Sequence, residues 1–182
     1  MLISEDYRKQ QEQLHATGTY GTAGETFAHL ISEIMQSLQI SELLDYGCGS
    51  RIGLFHALKA RVGHRFRYQA YDPCVPEYAK EPVASQMVAC CDVLEHIEPD
   101  MIDGVLDHLQ RLTEQVGFFS INTTNAMKTL PDGRNAHILQ RPPEWWLGKI
   151  MERFELQTFQ VVHDSEFYVI VYPRIENVLL QT

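Results

Sequence analysis

The segment ELLDYGCGS (42–50) constrains this chain more than any other. Residues 42–46 form a short apolar run that stops at Gly47-Cys48-Gly49, which predicts a buried strand entering a tight turn. Residues without a Cβ let a backbone bend sharply and approach a ligand closely. GLFHALKARV (53–62) then reads as helix. A strand, a glycine bend and a helix in that order are the opening of a βαβ unit, and sheets built from such units bind ligands beyond the carboxyl ends of their strands. The helix should turn its first amides toward that edge, which favours an anionic group.

The rest of the chain repeats this alternation. ETFAHLISEIMQSLQI (25–40) carries a helical stripe at Phe27, Leu30, Ile31, Ile34, Met35 and Leu38. FRYQAYDP (66–73) alternates and ends at Asp72-Pro73, predicting a second strand. Residues 74–85 read as loop, and QMVACCDVL (86–94) as strand. A helix over 99–115 keeps apolar positions at Ile102, Val105, Leu106, Leu109 and Leu112, and VGFFSINT (116–123) is the next strand. Residues 124–143 are irregular around the turn Pro131-Asp132-Gly133, and a helix follows Pro142-Pro143. LQTFQVVHD and FYVIVYPRI close the chain as a hairpin. The expectation is one α/β domain over 1–182, a doubly wound and mostly parallel sheet of about six strands with a C-terminal antiparallel hairpin. Residues 1–24, polar and with Gly18, Gly21 and Gly24 closely spaced, are expected to be an N-terminal arm or a lid.

Charge and cysteine content exclude several classes. The net charge is −9 and the 15 basic residues are scattered, so this chain alone is not expected to bind duplex nucleic acid, which needs clustered cations. A small molecule, or an RNA delivered by a second subunit, fits better. No apolar run approaches the ~18 residues of a membrane span, and the polar N-terminus lacks a signal-peptide core, so the expected location is cytoplasmic. Cys48, Cys74, Cys90 and Cys91 are expected to be reduced thiols. The sequence contains no C-x-x-C and its eight histidines show no close ligand pair, so no metal is expected. A monomer or homodimer is expected.

The chemistry concentrates at the strand tips. Asp72 ends the second strand roughly 20 residues past the glycine bend, where a carboxylate accepts hydrogen bonds from both hydroxyls of a ribose. The bend reads G-C-G-S-R-I-G, which misses the dinucleotide register G-x-G-x-x-G by one residue. LLDYGCGSRIGL, YQAYDP and CCDVLEHIEP instead resemble, in order, the first motif, the acidic second strand and the post-fourth-strand motif of class I S-adenosylmethionine-dependent methyltransferases. The resemblance covers roughly residues 40–123. The chain is also similar to uncharacterised phage and bacterial proteins that carry Y-G-T-x-G early and L-P-D-G-R-N-A-H later.

The resemblance implies a Rossmann-like fold and S-adenosylmethionine as cofactor. Gly47 and Gly49, with Cys48 between them, would lie against its methionine part, and Asp45 would help hold its amino group. Asp72, next to Pro73, would bind the ribose. Cys91, Asp92 and Val93 would lie near the adenine, with Leu94 and His96 at the pocket wall. Tyr20 would belong to a segment folding over the cofactor. One departure stands out: only about 14 residues separate Asp72 from the next strand, enough for a bare crossover but not for the helix, strand and helix of the family. One strand–helix unit is therefore expected to be lost, with the adenine side open.

Arg134, Asn135 and His137 follow the fifth family strand on the substrate side, as an ordered polar loop or as substrate contacts. His137 is the first candidate general base, with Arg134 and Asn122 as further substrate-side candidates. Trp145 and Trp146 open a helix, so at least one is expected in the core. The function expected is methyl transfer from S-adenosylmethionine to a small-molecule acceptor. The alternatives are cleavage or cyclisation of the cofactor without an acceptor, and a non-catalytic cofactor-binding subunit.

Overall fold

The computed structural model describes residues 2–16, 23–163 and 165–174. Strand β1 (Glu42–Tyr46) lies inside a six-stranded sheet because its successive side chains serve two different cores. Leu43 packs on one face against α2 (Ala23–Ser37) and α3 (Gly53–Lys59), in a cluster holding Phe27, Ile31, Met35, Leu54 and Leu58. Leu44 packs on the other face against α4 (Ile102–Leu112) and α5 (Pro143–Met151), with Val105, Leu109, Trp146 and Ile150. The same alternation divides Met87 from Val88 in β3 (Ser85–Cys91) and Phe118 from Phe119 in β4 (Thr113–Asn122). Strands covered on both faces read as continuous apolar runs, which is how β1, β3 and β4 read in the sequence.

With β2 (Arg67–Tyr71), β5 (Phe154–His163) and β6 (Glu166–Pro173), the sheet order is β2-β1-β3-β4-β6-β5. β2, β1, β3 and β4 run parallel, and β6 and β5 add the antiparallel hairpin at one edge. The expected Rossmann-like sheet is therefore present, and β2 passes to β3 over β1 through turns alone, without an intervening helix. Gln69 fastens this bare crossover to the outer strand: its Nε2 donates to Val83 O at 2.9 Å, and Val83 N donates to its Oε1 at 3.0 Å.

Two local differences from the sequence reading bear on the site. The segment 86–94 stops being strand at Cys91 and tightens into a 3-10 turn at Leu94–His96. Asp92, at the junction, takes a left-handed φ of 52°. The N-terminal segment, expected as an arm or lid, contains an ordered helix α1 (Glu5–His15). Ser4 caps it, accepting from Tyr7 N at 3.3 Å while its own hydroxyl donates to Glu98 at 2.7 Å. Tyr7 and Leu14 pack on Leu130 and Ala136, so α1 rests on the 124–143 loop. All four cysteines are free and buried. No helix among the described residues is long and apolar enough to cross a membrane.

Candidate functional site

The bend after β1 is built by left-handed backbone. Gly47 has φ 79° and Gly49 φ 61°. A Cβ on Gly47 would stand 2.3 Å from Val93 Cγ2, so the missing side chain makes room for Val93 as well as for the turn. Ile52 follows at φ 43°, an unfavourable conformation for a β-branched residue. The amides of Gly47 and Cys48 both donate to Tyr71 O, at 2.7 and 3.1 Å, tying the bend to the tip of β2.

Asp72 is buried at that tip. Gly49 N donates to its Oδ2 at 3.1 Å and Cys74 N to its Oδ1 at 2.9 Å. Burial raises its pKa, and the nearby His15 and the two amides oppose the rise. Asp45 is the penultimate residue of β1, one strand away, and the Tyr68 hydroxyl donates to its Oδ2. Burial pushes the Asp45 carboxyl up to about 7, against the pull of that hydrogen bond.

Both acids open onto a cavity of about 430 Å3 at the carboxyl ends of the strands. Its roof is α1, whose Tyr7, Gln11 and His15 face inward at helical spacing. Tyr7 Oη donates to His96 O at 2.7 Å, and Gln11 Nε2 donates to Tyr7 Oη at 2.6 Å. At the β3–β4 side, Asp92 N donates to Ser120 and Ser120 Oγ donates back to Asp92 Oδ1 at 2.6 Å. Burial raises the Asp92 pKa and lowers that of His96 to about 3, so His96 is a neutral imidazole. His96 and His137 meet edge to face, with ring centroids 4.7 Å apart.

The structure brings most of the predicted residues to this cavity. Asp45, Gly47, Cys48, Asp72 and Pro73 line it on the β1–β2 side, and Cys91, Asp92, Val93 and His96 on the β3 side. Asn122 and His137 line the remaining edge. Gly49 acts from behind, through its amide on Asp72. Leu94 points away from the cavity into the core shared with α4 and α5, so it is not a wall residue. Arg134 is turned outward, held by Asp132 at 2.7 Å and lying over the Tyr7 ring, and does not line the cavity. Asn135 pins the loop instead: its Oδ1 accepts from Ala126 N and His137 N, and its Nδ2 donates to Ala126 O. The Asn122 side chain accepts from Thr124, capping the end of β4. Trp146 is fully buried. Tyr20 lies outside the described residues.

Sequence reasoning missed Tyr7, Gln11, His15 and Tyr68. The signal for α1 was the spacing of Tyr7, Gln11 and Leu14, an inward stripe in a polar segment. It also missed the histidine pair. His96 and His137 are far apart in the sequence, and the fold closes that gap by setting the loop from 124 against the turn at Leu94–His96.

No family model and no curated protein matches the sequence. Solved structures do match in fold. The 1,6-didemethyltoxoflavin-N1-methyltransferase of Burkholderia thailandensis, whose structure holds 1,6-didemethyltoxoflavin and S-adenosylhomocysteine, is similar with a TM-score of 0.59 and 16% identity, over 92% of this chain and 87% of that one. The methyltransferase domain of bacterial CtHen1-C matches with a TM-score of 0.60 and 14% identity, over 83% and 98%. A SAM-dependent methyltransferase from Aquifex aeolicus matches with a TM-score of 0.52 and 16% identity, over 78% and 88%. Likeness at such identities defines a class of fold: this chain has the Rossmann-like fold found in many S-adenosylmethionine-dependent methyltransferases.

Proposed function

We propose that this chain binds S-adenosylmethionine and directs its methyl group to a small-molecule acceptor. The observation that carries the reading is the placement of Asp45 and Asp72 at the carboxyl ends of adjacent parallel strands, facing one cavity across the Gly47–Gly49 bend. The residues fit the nucleoside. Each Asp72 oxygen receives one backbone amide, and each keeps a second lone pair for a ribose hydroxyl. Asp45 has one oxygen engaged by Tyr68 and offers a carboxylate to an ammonium group. The cavity volume lies in the usual range of small-ligand sites.

Bound there, S-adenosylmethionine supplies a methyl carbon made electrophilic by its sulfonium. The chain's own contribution is orientation and exclusion of water. Asp72 would hold the ribose, Asp45 the amino-acid tail, and Val93 and Cys91 would pack against the base. The α1 roof would shield the reacting centre, and Asn122 and His137 are the polar groups that would meet the acceptor. The acids that line the cavity and the net charge of −9 favour a small acceptor over a nucleic acid.

Methyl-labelled cofactor incubated with the protein and the low-molecular-weight fraction of a cell extract tests the reading. Label should pass to a small molecule, with S-adenosylhomocysteine as co-product. Methylthioadenosine formed without an acceptor would replace methyl transfer by cofactor cleavage. Tight cofactor binding with no product from any extract would make the chain a binding subunit.

A further inference from the structure

We propose that Glu95, His96 and His137 form a binding site for a divalent transition-metal cation on the acceptor side of the cavity. One ligand atom from each residue lies within 4.8 Å of the other two. A cation 2.0–2.2 Å from each in tetrahedral geometry would set them ~3.3–3.6 Å apart, a closure of up to about 1.5 Å that movement of the partly exposed His137 side chain would supply.

The imidazoles are prepared for this role. His96 Nδ1 lies 2.8 Å from Ala136 O and His137 Nδ1 lies 2.5 Å from Thr124 O. A carbonyl only accepts, so each Nδ1 carries the proton and each Nε2 carries the lone pair. Metal-binding histidines are oriented in this way by an outer carbonyl or carboxylate.

Glu95 supplies the second, independent observation. It is fully buried, and its Oε1 accepts from Asn122 N at 2.8 Å. Its Oε2 is buried with no hydrogen-bond partner. A buried polar oxygen left unpaired is costly, and a cation shared with two imidazoles would satisfy it. Edge-to-face stacking accounts for the two rings but leaves this oxygen unexplained. The backbone fixes the set, because the 3-10 turn makes Glu95 and His96 neighbours and Leu139 N donates to Glu95 O at 3.0 Å, holding the loop that delivers His137. Asp92, one turn earlier, adds negative charge next to the site.

Two imidazoles and one carboxylate suit zinc, iron(II) or cobalt(II) better than magnesium or calcium. Three protein ligands leave coordination positions open toward the cavity. On the methyl-transfer reading, an acceptor hydroxyl would occupy one of them, and the cation would lower its pKa so that its proton passes to water at the open side of the cavity. His137 then acts as a ligand and not as a general base. The binding itself does not depend on that reading, and the expectation of no metal rested only on sequence spacing.

Metal-stripped protein titrated with cobalt(II) alone tests the site, read by visible absorption and by metal content after desalting. One cobalt(II) per chain is expected, with zinc(II) displacing it. Glu95→Gln and His137→Ala should each weaken binding at least ~10-fold, and Arg134→Ala should not. If Glu95→Gln fails to fold, His137→Ala, at a partly exposed position, carries the comparison. No stoichiometric cobalt(II) on folded protein, or unchanged affinity in His137→Ala, overturns the proposal. A parallel titration of S-adenosylhomocysteine in chelator separates the two claims: nucleoside binding without cobalt(II) binding removes the cation site and leaves the cofactor reading standing.

Discussion

His15 Nε2 stands 3.7 Å from Asp72 Oδ2, so the helix at the front of the chain touches the acid at the tip of β2. Burial raises the Asp72 pKa and His15 is the largest influence opposing it. Removing His15 leaves burial less opposed, so Asp72 should hold its proton to higher pH. Ribose binding uses the ionised Asp72 carboxylate, so His15→Ala should weaken S-adenosylhomocysteine binding severalfold at a mildly acidic pH and less at an alkaline one. Equal loss at both pH values would show that His15 acts only by contact.

The Tyr7 hydroxyl is the latch of the same helix. Tyr7→Phe removes the donor to His96 O and leaves Gln11 Nε2 without its acceptor. A loss of about 1 kcal/mol is expected, confined to the roof. Amide hydrogen exchange should quicken over residues 5–15, while β1 and β3 keep their protection.

Asp45 makes the protein sensitive to pH near neutrality. Its folded pKa of about 7 lies above the ordinary value of 3.8, so between these limits the folded state keeps a proton that the unfolded state releases. That contribution is complete below about pH 4 and is lost as pH rises through 7, on the order of 2–4 kcal/mol in all. Asp45→Asn should flatten the fall in Tm across this range. Binding should move the other way: a cofactor ammonium favours ionised Asp45, so S-adenosylhomocysteine affinity should increase through pH 7 in the native protein and change little in Asp45→Asn.

Gly47→Ala should damage the bend itself. The new Cβ would meet Val93 at 2.3 Å on a backbone at φ 79°. The strain should cost about 2 kcal/mol or more, lowering Tm by roughly 4–8 °C. Gly63→Ala, where a Cβ meets nothing within 4 Å, should stay within about 0.5 kcal/mol of the parent.

The sheet was legible in the sequence because burial on both faces writes itself as apolar runs, and ELLDY, QMVACC and VGFFSI are such runs. The lost strand–helix unit was legible as a simple shortage of residues after Asp72. The half of the cavity on the β1–β2 side was also legible, because a strand tip, its turn and its acid are local in sequence. The roof was not, because α1 is a polar helix that packs on the 124–143 loop through only Tyr7 and Leu14 and is otherwise held by hydrogen bonds from Tyr7 and Ser4 to residues distant in sequence. The outward turn of Arg134 depends on Asp132 and the Tyr7 ring, a tertiary contact that its place in the loop does not encode. The meeting of His96 with His137 is likewise tertiary, and with it the surroundings of Glu95.

Calorimetric titration of S-adenosylhomocysteine into the folded protein and into Asp72→Asn tests the central claim most directly. Saturable one-site binding is expected in the native chain, weakened about 10-fold or more in Asp72→Asn, since the charge-assisted bonds to the ribose are each worth ~1.5–3 kcal/mol. No binding by the native chain, or equal affinity in the two proteins, would contradict the assignment of this cleft to a nucleoside.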